Sequence, residues 1–232
     1  MEVIIEGIKQ AFLLLIHGDR QVIQVAQLSL IISGAATLIS LCMGIPAGVG
    51  LALSRFRGRR MLVSLINTGM GAPPVVVGLV VFIFLWRTGP LGFFSLLYTP
   101  WAMVTAQVLI AFPVVAGFTL ATIQQLDPKL RLQILSLGAS RFQMVWLLIK
   151  EARLPLLAAV MAGFGAVISE VGASMMVGGN ITNQTQIMTT GVVAASSAGD
   201  FAFAIALSVI LMVLIYLVNF ILTAIQQRSK TR

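Results

Sequence analysis

From Val25 to Leu53 the chain carries no charged side chain, and between Arg153 and Asp200 the one charge is Glu170. A bilayer crossing needs about 20 apolar residues, because the hydrocarbon core is about 30 Å thick. Only 9% of the 232 residues are charged and 59% are hydrophobic, whereas a soluble domain has a charged share of about 25%. No soluble core of this size could cover so much apolar surface. The reading is an all-α, polytopic membrane protein with spans at about 25–53, 61–87, 99–121, 154–177 and 201–225, forming a single transmembrane domain over 19–232.

Ahead of the first span, residues 1–18 place Ile4, Ile5, Ile8, Phe12, Leu15 and Ile16 at helical spacing opposite Glu2, Glu6, Lys9 and Gln10. That pattern is an amphipathic helix lying at the membrane interface. Gly18 ends it, and Asp19 is placed to cap the next helix.

The cations set the topology. Arg55, Arg57, Arg59 and Arg60 follow span one, and Lys129, Arg131, Arg141, Lys150 and Arg153 separate spans three and four. Arg228, Lys230 and Arg232 follow span five. The positive-inside rule puts these twelve in the cytoplasm and leaves Lys9, Arg20 and Arg87 outside. The expected N-terminus is therefore outside and the C-terminus inside.

The same distribution excludes other classes. The net charge of +8 lies in short loops between spans, not in a basic stripe that would track nucleic acid. A lone cysteine, Cys42, forms no intramolecular disulfide and reads as a small packing residue. One histidine, His17, builds no zinc site. There is no phosphate-binding Gly-rich Lys motif, no nucleophile elbow and no paired carboxylates, so no covalent chemistry is expected of the chain itself. No cofactor is expected in it.

Residues 122–153 form the longer inner insertion, with explicit local grammar. Asp127 is an N-cap with Pro128 at the first helical position, Gly138 stops that helix, and Ser140 and Gln143 make a capping box for a second one. The pattern predicts two short helices within 128–150 around a glycine turn. It is either a plain connector or a docking element for a cytoplasmic partner.

"LGASRFQMVWLLIKEARLP" resembles the cytoplasmic coupling loop of the membrane subunits of ABC importers. Gly138, Ala139, Ser140 and Arg141 match its Gly-Ala-Ser-Arg core, and Leu154–Pro155 its closing Leu-Pro. Leu132, Gln133 and Ile134 stand where that family has Glu-Ala-Ala, and the stretch to Leu154–Pro155 is about one helical turn longer than usual. "GIPAGVGLALSRFRGRR", "APPVVVGLVVFIFL" and "ISEVGASMMVGGNI", with "QIMTTGVVAASSAGDFAFAIAL", resemble the molybdate and tungstate branch in the same order, most of all tungstate-specific permeases. The resemblance implies a type I importer fold in the cell inner membrane, working as a homodimer. Two ATPase subunits that bind ATP and Mg would dock on Arg131, Leu132, Gln133, Ile134, Leu137, Gly138, Ala139, Ser140 and Arg141. An extracytoplasmic binding protein would deliver the oxyanion.

Within the spans, Glu170 is the one carboxylate, and a buried charge must be paired or hydrated. Arg87 is the cation expected at that height, which leaves a structural ion pair or helix-packing bond, gating and substrate contact open as roles. Pro73 and Pro74 are expected to kink span two beside a translocation path. Gly44, Pro46, Gly48 and Gly50 are expected to loosen span one. Gly172, Gly178 and Gly179 read as close-packing positions. The neutral donors from Asn180 and Thr182 to Thr190 are either weak sites for a passing dianion or an ordinary solvated loop. Permeases for sulfate or phosphate, and an ion-coupled secondary transporter using Glu170, remain alternatives at this point.

Overall fold

A computed structural model describes residues 2–228, helical with no strand among them. The side chains of Glu2, Leu15 and Arg228, together with Lys230 and Arg232, lie outside the described residues.

Helix α1 covers Glu2–His17, and Gly18 turns the chain at φ 61°. Asp19 then accepts the Val22 N–H at 3.0 Å and starts α2, Arg20–Leu53. After a basic turn come α3, Arg59–Met70, and α4, Pro74–Leu85. A short 3-10 turn, Gly92–Phe94, leads to α5, Pro100–Gln124. Next are α6, Pro128–Ser136, α7, Arg141–Glu151, α8, Arg153–Ile168, and α9, Gly172–Gly178. The chain ends in α10, Met188–Ser197, and α11, Phe201–Arg228.

The centre is the pair α2 and α5, which run parallel. Ser40 donates to the Val108 carbonyl at 3.3 Å, while further along a Cβ on Gly48 would sit 2.6 Å from the Ala116 carbonyl oxygen and 2.7 Å from Thr119 Cβ. Such contact requires small residues, since without water to expel, membrane helices associate by close van der Waals packing. Gly44 and Gly48 are thus a packing seam, while nothing lies within 4 Å of a Cβ on Gly50, and α2 continues unbroken through Pro46. Cys42 is not in that seam but on an exposed face.

The parallel pair fixes the crossings. Leu53 and Pro100 lie at opposite ends of the bundle, so residues 54–99 must traverse it. They do so as α3 and α4, bent by 103° at the break between them, rather than as the continuous span expected over 61–87. Single prolines at 46 and 113 leave their helices whole, but Pro73–Pro74 removes two successive N–H donors and ends the helix. Span four is also interrupted. Leu156 packs with Val49 and Ile123 at one end, Val177 with Ala102 and Met103 at the other, and the helix stops between at Ser169–Val171.

α11 begins beside Val22 and Met188, and near its end Gln226 Nε2 donates to the Leu154 carbonyl. Among the described residues only α2, α5 and α11 are single helices long and apolar enough to cross a membrane. α1 packs along α11, burying Ala11 and setting Gly7 against Ile205. Its larger apolar residues, Ile4, Ile5, Ile8, Phe12 and Ile16, stay exposed.

Candidate functional site

The structure groups the candidate residues at two places, separated along the bundle. At one end sits the hairpin of α6 and α7. Asp127 Oδ1 accepts the Lys129 N–H at 2.8 Å, and Ser140 and Gln143 close a reciprocal capping box at 3.3 and 2.8 Å. Gly138 joins the helices at φ 82°, a left-handed conformation that favours glycine.

Met144 and Leu148, one turn apart on α7, are buried, and Val145 and Ile149 beside them anchor the hairpin against Val49, Ile123 and Leu156. The Arg131 guanidinium reaches the Leu53 carbonyl at the end of α2. The opposite side is bare. Leu132 is 67% exposed, Leu137 86%, Phe142 82% and Trp146 63%. Four large apolar side chains around one turn, rimmed by Arg131 and Arg141, form an exposed patch of the kind that marks a protein contact. The glycine core, Gly138, Ala139, Ser140 and Arg141, lies at the apex, with Gln133 exposed and Ile134 half-buried.

Sequence reasoning centred this surface on the glycine and missed Phe142 as a member. The signal was present in the spacing: Phe142 and Trp146 share one face of α7, while Met144 and Leu148 share the other.

The second place is the crossing of the two interrupted spans. Pro73 caps α4 and Pro74 is its first residue. Two positions on, Val75 lies against Gly172, and a Cβ on Gly78 would meet the Ala173 Cα at 2.5 Å. Glu170 is 7% exposed here, and its Oε1 accepts the Ala173 N–H at 2.7 Å. Its own carbonyl accepts the Thr189 hydroxyl at 2.9 Å, which ties α9 to α10. Gln107 Nε2 on α5 donates to Ser174 Oγ at 3.3 Å, in the same first turn of α9.

Glu170 is therefore a helix cap and not half of the ion pair expected with Arg87. The reason is the break itself: once the helix stops at Ser169, the N–H groups that open α9 need an acceptor, and the carboxylate is nearest. Among the described residues it makes no ion pair. Pro73, Pro74, Glu170 and Gly172 thus converge on one crossing. Asn180 and Thr182 do not; they lie past the far end of α9, about 10 Å along its axis.

The turn after α9 is built rather than merely solvated. Gly179, Asn180 and Asn183 hold positive φ. Thr185 donates to the Gly178 carbonyl at 2.6 Å and accepts the Ile181 N–H at 2.9 Å. Thr185, Thr189 and Thr190 are buried and committed to the backbone, so these hydroxyls are not the free donors expected there. The free amides are others: Asn183, Gln184 and Gln186, with Gln24 and Gln27 from α2, line a cavity of about 250 Å³. No group of His, Cys, Asp and Glu among the described residues could hold a metal ion.

Comparison with known proteins now places this arrangement. The chain is 39% identical over 227 residues to the tungstate uptake system permease protein TupB of Peptoclostridium acidaminophilum, covering 98% of this chain and 100% of that protein. It is 33% identical over 221 residues to the tungstate uptake system permease protein TupB of Campylobacter jejuni, covering 95% of this chain and 92% of that protein. In fold it matches the inward-facing MetNI methionine ABC transporter with a TM-score of 0.74 at 18% identity, over 89% of this chain and 95% of that one. Residues 44–231, with both broken spans and the hairpin inside them, match the model of the binding-protein-dependent transport system inner membrane component, and the chain belongs to that family.

Proposed function

We propose that this chain is the non-catalytic membrane subunit of an ATP-driven importer for tungstate or molybdate. The oxyanion assignment is supported by the tungstate permeases above, which match over nearly the full chain. The observation that carries the mechanism is the hairpin's anchored back and bare apolar front. A loop that only joined two crossings would have no reason to hold Leu137 and Phe142 in water at 86% and 82% exposure. The partner that fits is an ATPase subunit offering an apolar groove.

In this reading two copies of the chain pair around the path, and an ATPase docks on each hairpin. ATP and Mg belong to that partner. Closure of the ATPases pushes on α6 and α7, and the anchor of Val145 and Ile149 passes the motion to α2, α5 and α8. The path passes the crossing at Pro73, Pro74, Glu170 and Gly172 and opens at Asn180 and Thr182, where a binding protein delivers its anion. Neutral amides suit a passing dianion, which must be held weakly enough to leave. The N-terminus lies outside and the hairpin inside the cell inner membrane.

The test is uptake into proteoliposomes holding this chain, its ATPase and its binding protein. Labelled tungstate or molybdate is expected to enter only with ATP. The double variant Phe142→Ser/Trp146→Ser is expected to keep its melting temperature and lose at least tenfold in ATPase co-purification. Uptake that follows an imposed ion gradient without ATPase would overturn the reading. In a Cys42→Ser background, cysteines at 57 and 143 should be shielded from impermeant reagents outside intact cells, and one at 184 should react.

A further inference from the structure

We infer that Arg87, with Trp86, Ser95 and Tyr98, forms a binding site for a tetrahedral oxyanion group at the end of the bundle opposite the coupling hairpin. The site does not depend on which oxyanion the importer carries.

It begins with how α4 stops. Trp86 leaves the helix in an extended conformation, and the loop folds back so that Leu91 donates to the Phe84 carbonyl at 2.9 Å and Gly89 to the Trp86 carbonyl at 2.7 Å. The 3-10 turn follows, closed by the Ser95 N–H on the Gly92 carbonyl at 3.0 Å. Ser95 and Tyr98 both hold left-handed backbone, φ 50° and 63°, which side-chain-bearing residues seldom adopt and which persists only where surrounding structure enforces it. Part of that enforcement is visible: the Tyr98 N–H donates to the Val177 carbonyl at 2.8 Å.

The loop backbone thus satisfies itself, and its side chains are left facing a cavity of about 440 Å³ lined by Trp86, Arg87, Ser95 and Tyr98. No carboxylate is in that wall. Among the described residues the Arg87 guanidinium, the Ser95 and Tyr98 hydroxyls and the Trp86 indole N–H have no hydrogen-bond partner within the chain. The wall therefore presents exposed donors that no acceptor of the chain engages. A guanidinium fork matches two oxygens of a tetrahedral oxyanion, and the indole and hydroxyl donors suit the others.

Such a group has two sources. Phe93, Phe94 and Trp101 near the cavity are 74%, 56% and 66% exposed, which fits an aromatic belt at headgroup level and hence a lipid phosphate. A free oxyanion has the same chemistry. Either would act on the gate region, because the Tyr98 ring lies against Gly179, the left-handed cap of α9, and edge-on to Phe82 of α4.

The test uses the whole purified chain with Trp101→Phe and Trp146→Phe, which leaves Trp86 as the one indole of three. One arm titrates tungstate and inorganic phosphate in detergent and follows Trp86 emission, with chloride at matched ionic strength as control. The other arm measures, by native mass spectrometry, phospholipid retained from vesicles of phosphatidylglycerol and phosphatidylethanolamine against vesicles of an uncharged glycolipid.

Wild type is expected to respond in at least one arm. Arg87→Gln should weaken that response at least tenfold, with Arg87→Lys intermediate because it keeps the charge and loses the fork. Arg87→Gln should still fold, since the side chain is exposed and bonds nothing in the chain; an unchanged melting temperature checks this. Loss confined to the first arm assigns a free oxyanion, and loss confined to the second assigns a lipid phosphate. If wild type and Arg87→Gln behave alike in both arms, or if the one response is a first-arm response that chloride reproduces, the inference is wrong.

Discussion

Gly138 and Gly78 both resist substitution, for opposite reasons. At Gly138 nothing lies within 4 Å of where a Cβ would stand, but φ is 82°. At Gly78 the backbone is ordinary helix, and the Ala173 Cα stands 2.5 Å from that Cβ. One glycine is required by its own dihedral angle, the other by a segment 95 residues away in the chain. The α6–α7 hairpin and the α4–α9 crossing differ in the same sense throughout. Asp127, Ser140 and Gln143 bond to backbone within three residues of themselves. At the crossing Glu170 caps a helix that exists only because α8 has ended, and Ser174 meets Gln107 from another crossing. A hairpin of local bonds moves as a unit, which suits a part that is pushed. A crossing held by its neighbours changes when they shift, which suits a gate.

The comparison breaks most visibly at Gly78. Gly78→Leu should destabilise the folded chain by about 3 kcal/mol, since neither backbone can withdraw without opening the core. Thermal unfolding in detergent measures it, and an unchanged midpoint would mean the crossing is looser than described. Glu170→Ala comes next, at about 2 kcal/mol, because it leaves the buried Ala173 N–H without an acceptor. Glu170→Gln should cost about half of that, the amide oxygen still accepting. Arg87→Gln should cost nothing measurable in stability; matching defects at 87 and 170 would restore the ion pair.

The hairpin should answer differently. Gly138→Val should cost about 1–2 kcal/mol at the turn while the melting midpoint of the bundle stays near wild type, and the loss should fall on ATPase co-purification. Gly138→Asn should behave almost as wild type, because asparagine tolerates the left-handed region. If valine and asparagine are equally harmful, space and not φ decides that position. The smallest effect is expected at the capping box. Ser140→Ala should cost about 1 kcal/mol of local helix stability, and adding Gln143→Ala less than its own share, as the two act reciprocally. Amide hydrogen exchange over α7 resolves a change of that size.

The sequence by itself determined the apolar class of the chain, the number of traversals and the whole hairpin. Hydropathy is a sum over residues, and the caps at Asp127 and Ser140 find their partners within a few positions, so no tertiary information was needed. Hydropathy carries no direction, however, and an apolar run reads the same whether its helix continues or turns. Pro73–Pro74 was legible as a disturbance, but only the structure decided that it ends the helix at a 103° bend while Pro46 and Pro113 leave theirs intact. No local signal marked the stop at Ser169, and with it went the ion pair of Glu170 with Arg87. The carboxylate takes the nearest orphaned N–H, and which N–H groups are orphaned depends on where the packing of α4, α5 and α9 interrupts the span. Arg87, freed from that pair, faces a cavity whose other walls come from a loop that the packing folds back over the end of α4.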